Sequence, residues 1–257
     1  MSPSFSVVVP ARYGSERFPA KVLADLHGRP LVAQTAEAGR LSGAGEVIVA
    51  TDDRRVVDAL APFGLPCEMT STAHTSGTDR IHEVAQRLGW ADDHIVVNLQ
   101  GDEPMMPPEI IRACVDALVA NPTADIATPV HAIHQVGDFL SPHVVKVVLD
   151  GDSRARYFSR APIPASRKAL LSGVQALPDA GAWRHIGLYA YRCAALAKLA
   201  ALPLAPTEQD ESLEQLRALW NGMQIQAVVV AQAPPPGVDT PEDLARLQLL
   251  APPAIRD

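Results

Sequence analysis

A group of positively charged side chains follows the first apolar segment of the chain. The run SVVV, from Ser6 to Val9, leads into PARYGSERFPAK, which places Arg12, Arg17 and Lys21 close together. β-Branched residues followed by proline, glycine and serine predict a strand that ends in a loop. Ligands of open α/β sheets bind beyond the carboxyl ends of the strands, so this loop favours a small anionic ligand such as a triphosphate. A basic loop that contacts only solvent is the alternative interpretation.

Two aspartates stand at the ends of other predicted elements. Asp102 follows the apolar run HIVVNL, and Asp239 precedes a Thr-Pro helix start in which Thr240 is the expected N-cap. Carboxylates at such positions hold Mg²⁺ against phosphate groups in many proteins. They stabilise turns through backbone amides just as often. The spacing leaves both interpretations open, and it does not establish that the two aspartates meet.

The remaining polar candidates give weaker signals. His185 and Tyr189 are four residues apart in one predicted strand, 183–191, and would share a face, where packing within the sheet is the simpler interpretation. Arg160 lies in a proline-containing loop, where it either binds a carboxylate or contacts solvent. Three glutamates recur at helical spacing, which usually indicates a solvent-exposed helix face. They are Glu208, Glu211 and Glu214.

Two common nucleotide-binding motifs are missing. No GxGxxG follows the first strand, and GxxxxGK[ST] does not occur in the sequence. A triphosphate site would therefore consist of loop amides together with Arg12, Arg17 and Lys21.

Short strands alternate with helices along the chain, which predicts parallel βαβ units and an α/β, Rossmann-like, mostly parallel sheet. The predicted strands are 6–9, 46–50, 66–69, 94–99, 126–130, 144–149, the start of 156–166, 183–191 and 225–231. The predicted helices are 30–42, 53–63, 75–88, 107–120, 193–202, 212–220 and 240–250. We expect one domain over residues 1–257, with a β-rich segment inserted at about 128–190 and a flexible tail at 251–257.

The composition narrows the class of protein. With 257 residues, of which 47% are hydrophobic, the chain can form a sizeable globular core. The net charge of −7 argues against a nucleic-acid partner. Membrane insertion is not expected, since no apolar run approaches the ~20 residues that a spanning helix needs. An odd number of scattered cysteines and the lack of an export signal predict a cytoplasmic enzyme with reduced thiols.

Eight segments, taken in order along nearly the whole chain, resemble the 3-deoxy-manno-octulosonate cytidylyltransferase (CMP-KDO synthetase) family. They are PARYGSERFPAK, SGTDR, NLQGDEP, VVKVVLD, YFSRAPIP, RHIGLYAYR, LEQLR and GVDTPEDL. Each segment is weak evidence alone, but the set is very specific. The opening motif departs from the family at Phe18, where Leu is common, and at Ala20, where Gly is usual. Segment 167–182 matches nothing that we can place.

The resemblance implies a Rossmann-like nucleotidyltransferase sheet with an inserted dimerisation region, and hence a homodimer. It also implies the reaction of CTP with the sugar acid KDO to give CMP-KDO and pyrophosphate, for lipopolysaccharide biosynthesis. The implied metal ligands for Mg²⁺ are Asp102 and Asp239, which with Lys21 form the implied catalytic group. Metal held there would activate the sugar hydroxyl for in-line attack on the α-phosphorus.

The resemblance also implies the residues that bind substrate. Those on the CTP side are Pro10, Ala11, Arg12, Ser15, Arg17, Lys21, Arg80 and Gln100. Those on the sugar-acid side are Gln100, Arg160, His185, Tyr189, Glu214 and Gln215. The rival predictions are a cytidylyltransferase for a sialic-acid-like substrate, a uridylyltransferase that uses a sugar 1-phosphate, and a non-catalytic nucleotide-binding module.

Overall fold

Strands and helices alternate along residues 4–14, 18–173 and 176–250, which are the residues that the computed structural model describes. The strands are β1 Phe5–Pro10, β2 Asp25–Leu26, β3 Arg29–Pro30, β4 Glu46–Thr51, β5 Cys67–Met69, β6 Ile95–Asn98, β7 Ile126–Ala132, β8 Lys146–Leu149, β9 Ala155–Ser159, β10 Trp183–His185, β11 Tyr189–Arg192 and β12 Ile225–Val230. The helices are α1 Leu31–Leu41, α2 Arg54–Leu60, α3 Gly77–Leu88, α4 Pro108–Ala120, α5 Val136–Leu140, α6 Arg167–Ser172, α7 Cys193–Ala201, α8 Pro206–Glu211, α9 Gln215–Trp220 and α10 Pro241–Gln248. Short 3₁₀ turns lie at Lys21–Leu23 and Ala61–Phe63.

One large sheet organises these elements. Its strand order is β5-β4-β1-β6-β11-β7-β10-β8-β9, with β12 paired to β7. Strands β5, β4, β1 and β6 are mutually parallel, and β12 is parallel to β7. The ladders made by β10, β11 and the β8–β9 pair are antiparallel. The predicted α/β, Rossmann-like fold is confirmed. The prediction of a mostly parallel sheet is wrong, because the strands from β11 to β9 pair antiparallel and the parallel strands are concentrated in the half of the sheet that contains β1.

Strand β1 is buried on both faces. Alternate side chains enter two separate cores, so that Val7 packs with α1 and α4, and Val8 packs with α3 and α7. A strand covered on both faces by helices needs a continuous apolar sequence, which FSVVV supplies. Helices on both sides therefore bury the sheet and leave the carboxyl ends of its strands as the open edge. Among the helices of the described ranges, none combines the length and apolar character needed to cross a bilayer.

The segment predicted as one strand at 183–191 is two strands, β10 and β11, so that prediction is wrong. The amide of Leu188 donates to the carbonyl of Ile186 (2.8 Å), which makes a tight turn around Gly187. The hydroxyl of Thr128 then donates to the Leu188 carbonyl (2.7 Å). A side chain of β7 thus takes the place of a ladder bond, and the break lies beside the carboxyl end of β6.

The helix predicted at 212–220 is also wrong at its start, because Ser212 has a left-handed backbone (φ 51°) and separates α8 from α9. The expected solvent-exposed face of three glutamates does not exist. Glu208 is buried and accepts two hydrogen bonds from Arg217, at 2.6 and 2.9 Å. Glu211 bonds to β9 and the residue after it, and Glu214 lines a cavity. Because two separate helices carry these glutamates, their spacing along the sequence does not place them on a common face.

The strands of segment 128–190 continue the same sheet as β1. The division of the chain into a domain with an inserted subdomain therefore stays a prediction. The expected tail, 251–257, lies outside the described residues.

Candidate active site

The basic loop lies beyond the carboxyl end of β1, as predicted. The amide of Ala11 donates to the carbonyl of Ala50 (2.8 Å), which extends the pairing of β1 with β4 into the loop. Arg12 is exposed, and a cavity of about 190 Å³ opens beside it. The lining of this cavity consists of Pro10, Arg12, residues 74–77, Arg80 and Gln100. Ser15 and Arg17 lie outside the described residues.

Lys21 joins the two aspartates that the sequence could not connect. Its ammonium donates to Asp102 Oδ2 at 2.7 Å and to Asp239 Oδ1 at 3.1 Å. Burial lowers the pKa of Lys21, but the charge and hydrogen bond of Asp102, with those of Asp239, outweigh burial and raise that pKa overall. The lysine therefore remains a cation. The carboxylates stay accessible to a ligand, since 33% of the Asp102 side chain and 50% of the Asp239 side chain are exposed.

Close backbone contact holds the loop of Asp239 against Asp102. The amide of Val238 donates to the carbonyl of Asp102 (2.9 Å). A Cβ atom at Gly237 would lie 2.8 Å from that carbonyl oxygen, so a side chain there would push the loop away. On the other side, Thr35 of α1 donates to the carbonyl of Gly101 (3.1 Å). These contacts hold the backbone around Asp102 and the backbone before Asp239 in place.

The start of α10 fixes the backbone of Asp239 itself. The hydroxyl of Thr240 accepts from the amide of Asp243 (3.3 Å), so the predicted N-cap is confirmed. One carboxylate oxygen of Asp243 accepts from the amides of Thr240 and Asp239, both at 3.0 Å. Because Asp243 completes the cap, the carboxylate of Asp239 is not needed there and bonds to Lys21.

Arg80 is a buried member of the first cavity's wall. Its guanidinium donates to Asp52 Oδ2 (2.9 Å) and to the hydroxyl of Thr70. The other oxygen of Asp52 accepts from the amide of Tyr13 (3.4 Å). Asp52 therefore links the guanidinium of Arg80 to the basic loop, a contact that the sequence analysis missed.

A second, narrower cavity of about 50 Å³ shares Gly77 and Gln100 with the first. Tyr189, Glu214 and Gln215 also line it. Glu214 Oε1 and Gln215 Nε2 are buried and have no hydrogen-bond partner within the described part of the chain. Burial raises the pKa of Glu214. A buried acceptor and a buried donor without partners are costly, so their presence in a cavity wall favours a polar ligand that bonds to both.

His185 lies at the break between β10 and β11. Its Nε2 is 2.9 Å from the hydroxyl oxygen of Thr128, whose own proton is directed to the Leu188 carbonyl. The imidazole is therefore the donor at Nε2, which leaves Nδ1 as an acceptor. Burial, and less strongly the charge of Arg184, lowers the pKa of His185 to about 3, so the ring is neutral. The rings of His185 and Tyr189 are 5.3 Å apart, although no single strand joins them.

Arg160 is not among the residues that line these two cavities. Its guanidinium donates to the carbonyls of Glu211 (2.7 Å), Pro142 (3.0 Å) and, at 3.5 Å, Ser212. The alternative of a solvated loop arginine does not describe these contacts. The structure thus fixes Arg160 at the end of β9 and does not bring it into the group around Lys21.

A third cavity, of about 260 Å³, adjoins the aspartates and contains residues that the sequence analysis missed. Glu103 and Arg184 line it together with His185, Asp102 and Asp239. Burial, followed by the charge of Asp102, raises the pKa of Glu103 to about 8. Both missed residues are sequence neighbours of predicted ones, but adjacency alone did not indicate which side chains would face a cavity.

The pair of aspartates fits a magnesium ion by its chemistry. Within residues 4–14, 18–173 and 176–250, no three His, Cys, Asp or Glu side chains form a larger ligand group. Mg²⁺ in nucleotide sites is commonly bound by one or two carboxylates, with substrate phosphates and water as the other ligands. Asp102 and Asp239, which already share one cation, have the donor atoms for such a site.

A Rossmann-like sheet with a basic loop after its first strand, and with one aspartate after β6 and another before α10 that meet at a lysine, defines the chain as a nucleotidyltransferase. Residues 6–225 match the cytidylyltransferase family. The chain therefore belongs to the cytidylyltransferase family, and the sequence-based resemblance is confirmed at that level.

Solved structures agree with this assignment. A structure described as CMP:2-keto-3-deoxy-manno-octonic acid synthetase complexed with CTP is 42% identical, with 95% of this chain and 97% of that chain covered and a TM-score of 0.86. A cytidylyltransferase from Leptospira borgpetersenii serovar Hardjo-bovis is 16% identical, with coverage of 95% and 85% and a TM-score of 0.61. The second similarity concerns the fold alone.

Proposed function

We propose that the chain is a 3-deoxy-manno-octulosonate cytidylyltransferase. It transfers CMP from CTP to the anomeric hydroxyl of KDO and releases pyrophosphate, for lipopolysaccharide biosynthesis. The observation that carries the proposal is the meeting of Lys21, Asp102 and Asp239, whose two aspartates line the third cavity. The similarity to a synthetase of this name with bound CTP supports the choice of substrates.

The cavity beside Arg12 takes the nucleotide. Arg80 is held rigidly in its wall by Asp52, so it presents fixed donors to the base or ribose. Backbone groups of Pro10 and Ala11 lie at the end of β1 beside it. The triphosphate then extends along the basic loop, where Arg12, Ser15, Arg17 and Lys21 bind it.

The sugar acid binds on the far side of Gln100. The unpaired atoms of Glu214 and Gln215 supply an acceptor and a donor for its hydroxyl groups. Neutral His185 offers Nδ1 as a further acceptor, and Tyr189 lies beside it. Arg160 is proposed to bind the carboxylate. In its guanidinium, Nε has one N–H group and each terminal nitrogen has two. The described contacts use the N–H of Nε and one N–H of each terminal nitrogen, so one N–H on each terminal nitrogen remains for a ligand.

Asp102 and Asp239 are proposed to hold Mg²⁺. When bound, this ion would lower the pKa of the sugar hydroxyl and neutralise phosphate charge. Lys21 keeps its positive charge between the two carboxylates and can contact the phosphate oxygens that gain charge in the transition state. The bond from the sugar oxygen to the α-phosphorus forms, the bond from the α-phosphorus to the bridging oxygen breaks, and the hydroxyl proton passes to solvent. The basic loop stabilises the leaving pyrophosphate.

The remaining parts of the proposal concern location and assembly. CTP as co-substrate favours the cytoplasm, where Cys67, Cys114 and Cys193 would remain the free thiols that the structure describes. A homodimer through segment 128–190 is supported by exposed apolar side chains on α6, Leu170 and Leu171, which are 68% and 80% exposed.

The test is pyrophosphate release by the purified protein with each combination of CTP or UTP and KDO, a sialic acid or a sugar 1-phosphate. We expect Mg²⁺-dependent release with CTP and KDO, and CMP-KDO as the product. Faster release with CTP and a sialic acid would indicate that the sialic acid, and not KDO, is the substrate. Release only with UTP and a sugar 1-phosphate would indicate a uridylyltransferase. Binding of CTP without turnover of any pair would indicate a non-catalytic module.

A further inference from the structure

Arg160 makes hydrogen bonds through its amide, its carbonyl and its guanidinium. Its amide donates to Glu211 Oε2 (2.8 Å), and its carbonyl accepts from Lys146 Nζ (2.5 Å). The carbonyl of Glu211 accepts from Nε of the Arg160 side chain (2.7 Å). Both backbone polar groups and the guanidinium are therefore bound by residues distant in sequence.

The carboxylate of Glu211 connects two elements. Its Oε1 accepts from the hydroxyl of Ser159 (2.5 Å) while Oε2 accepts from the amide of Arg160, so both oxygens bind the end of β9. Glu211 is also the last residue of α8, directly before the left-handed Ser212. The same side chain thus sets the position of Arg160 relative to the segment that carries Glu214.

Lys146 completes the arrangement from β8. It is fully buried, and its ammonium donates to the carbonyls of Ser141 (2.8 Å), Val144 (2.6 Å) and Arg160 (2.5 Å). An ammonium has three N–H donors, and each of them has an acceptor here. Burial lowers the pKa of Lys146. Taking a lysine out of water is unfavourable, so an apolar residue would be expected if this position only filled the core.

We propose that Glu211 and Lys146 are positioning residues that hold Arg160 in the orientation needed to bind the sugar-acid carboxylate. They act from opposite sides, Glu211 on the amide and Lys146 on the carbonyl of residue 160. The two N–H groups that remain on its terminal nitrogens are then directed before the substrate arrives, which reduces the entropy lost on binding. The inference rests on the proposed function, because it takes Arg160 as the carboxylate-binding group.

The test compares Glu211→Gln, Arg160→Ala and the double variant with wild type, and measures KM for KDO and for CTP separately. We expect Glu211→Gln to raise KM for KDO about tenfold or more and to change KM for CTP less than about twofold, because Arg–carboxylate recognition depends on geometry. In the double variant, Glu211→Gln should add less than about twofold to the effect of Arg160→Ala, since it acts through that residue. Asp210→Asn, an exposed neighbour, is the matched control and should behave as wild type.

Equal increases of both KM values, or multiplicative effects in the double variant, would overturn the inference. Lys146→Met, the riskier variant for folding, should show the same selective effect on KDO wherever it yields folded protein. The unfolding midpoints give a reading that does not need activity. Glu211→Gln should lower the midpoint with or without the Arg160 side chain, because the carboxylate binds the amide of residue 160, and an unchanged midpoint would overturn the contact. Wild-type protein without KDO turnover would refute the proposed function instead, so the two failures are distinguishable.

Discussion

A single lysine ammonium lies between the two aspartates of the site before any substrate binds. Lys21 contacts both carboxylates and keeps its proton, so one positive charge faces both aspartates. Both carboxylates remain partly exposed, so they can also contact a divalent ion. The chemistry of the site therefore depends on each of these three side chains.

We expect Asp102→Asn and Asp239→Asn each to lower kcat by about 10²-fold or more, because an amide cannot replace a carboxylate beside Mg²⁺ and Lys21. The measurement is the steady-state rate at saturating CTP, KDO and Mg²⁺. Asp116→Asn, which changes an exposed aspartate of α4, serves as the control. Near-normal turnover in both site variants would contradict the proposed role.

Ala20 adopts the backbone angle that the sequence comparison left in question. Its φ is 55°, in the left-handed region, directly before the turn Lys21–Leu23. A Cβ atom in this region costs roughly 1 kcal/mol, which glycine avoids. The chain thus keeps the conformation that glycine would favour in this motif, at the expense of local strain beside Lys21.

Ala20→Gly should raise the free energy of unfolding by up to about 1 kcal/mol, because glycine relieves the strain. The conformational entropy of glycine in the unfolded chain reduces this gain. Urea unfolding followed by circular dichroism would measure the change. The matched control is Ala24→Gly, at a residue with φ −60°, where the same substitution should destabilise the protein. A destabilised Ala20→Gly variant would show that the left-handed angle carries no strain.

At the scale of elements, the site depends on how two loops meet. The loop before α10 contacts the end of β6 through Val238 and Gly237, with too little space for another side chain. Sequence patterns indicated each loop separately, since GDEP and GVDTP both read as turns. Their contact is a property of the tertiary fold, which periodicity does not encode.

Gly237→Ala is expected to move Asp239 away from Lys21 and to lower kcat by about 10²-fold, as displacements near 1 Å do in active sites. Its Cβ atom would lie 2.8 Å from the Asp102 carbonyl oxygen and 2.9 Å from Glu103 Oε1. Gly151→Ala is the control, because a Cβ atom there meets nothing within 4 Å. Equal kcat in the two variants would show that the close contact is not needed for turnover.

For the whole molecule, the sequence predicted the strands and helices better than the points at which a strand or a helix is interrupted. Continuous apolar runs such as that of β1 identify buried parallel strands, so the sheet and most helices were predicted within a few residues. The break at Gly187 and the left-handed Ser212 were missed, because each depends on a distant partner: Thr128 for the first and the docking of Glu211 on β9 for the second. The site followed the same rule. Strand-end residues were predicted, while Glu103 and Arg184 face a cavity for reasons of packing.

The stability of the whole molecule should depend on the neutral state of His185. Its pKa is about 3 in the folded protein, against an ordinary value of 6.5. As the pH falls below about 6.5, the unfolded chain takes up a proton that the folded chain cannot accept until about pH 3. Stability is therefore complete above the ordinary pKa and is lost on acidification, by up to about 1.4 kcal/mol per pH unit for this group.

Comparison with His185→Gln isolates this contribution, because glutamine can still donate to Thr128 but does not titrate. Urea unfolding of both proteins between pH 4 and 7 should give curves that converge as the pH falls, with wild type losing more stability than the variant. His143→Gln, at an exposed position, should follow the wild-type curve. Parallel curves for wild type and His185→Gln would mean that His185 already gains its proton in the folded protein. The buried imidazole at the strand break would then become a cation below about pH 6.5, where it could not accept a hydrogen bond from the sugar at Nδ1.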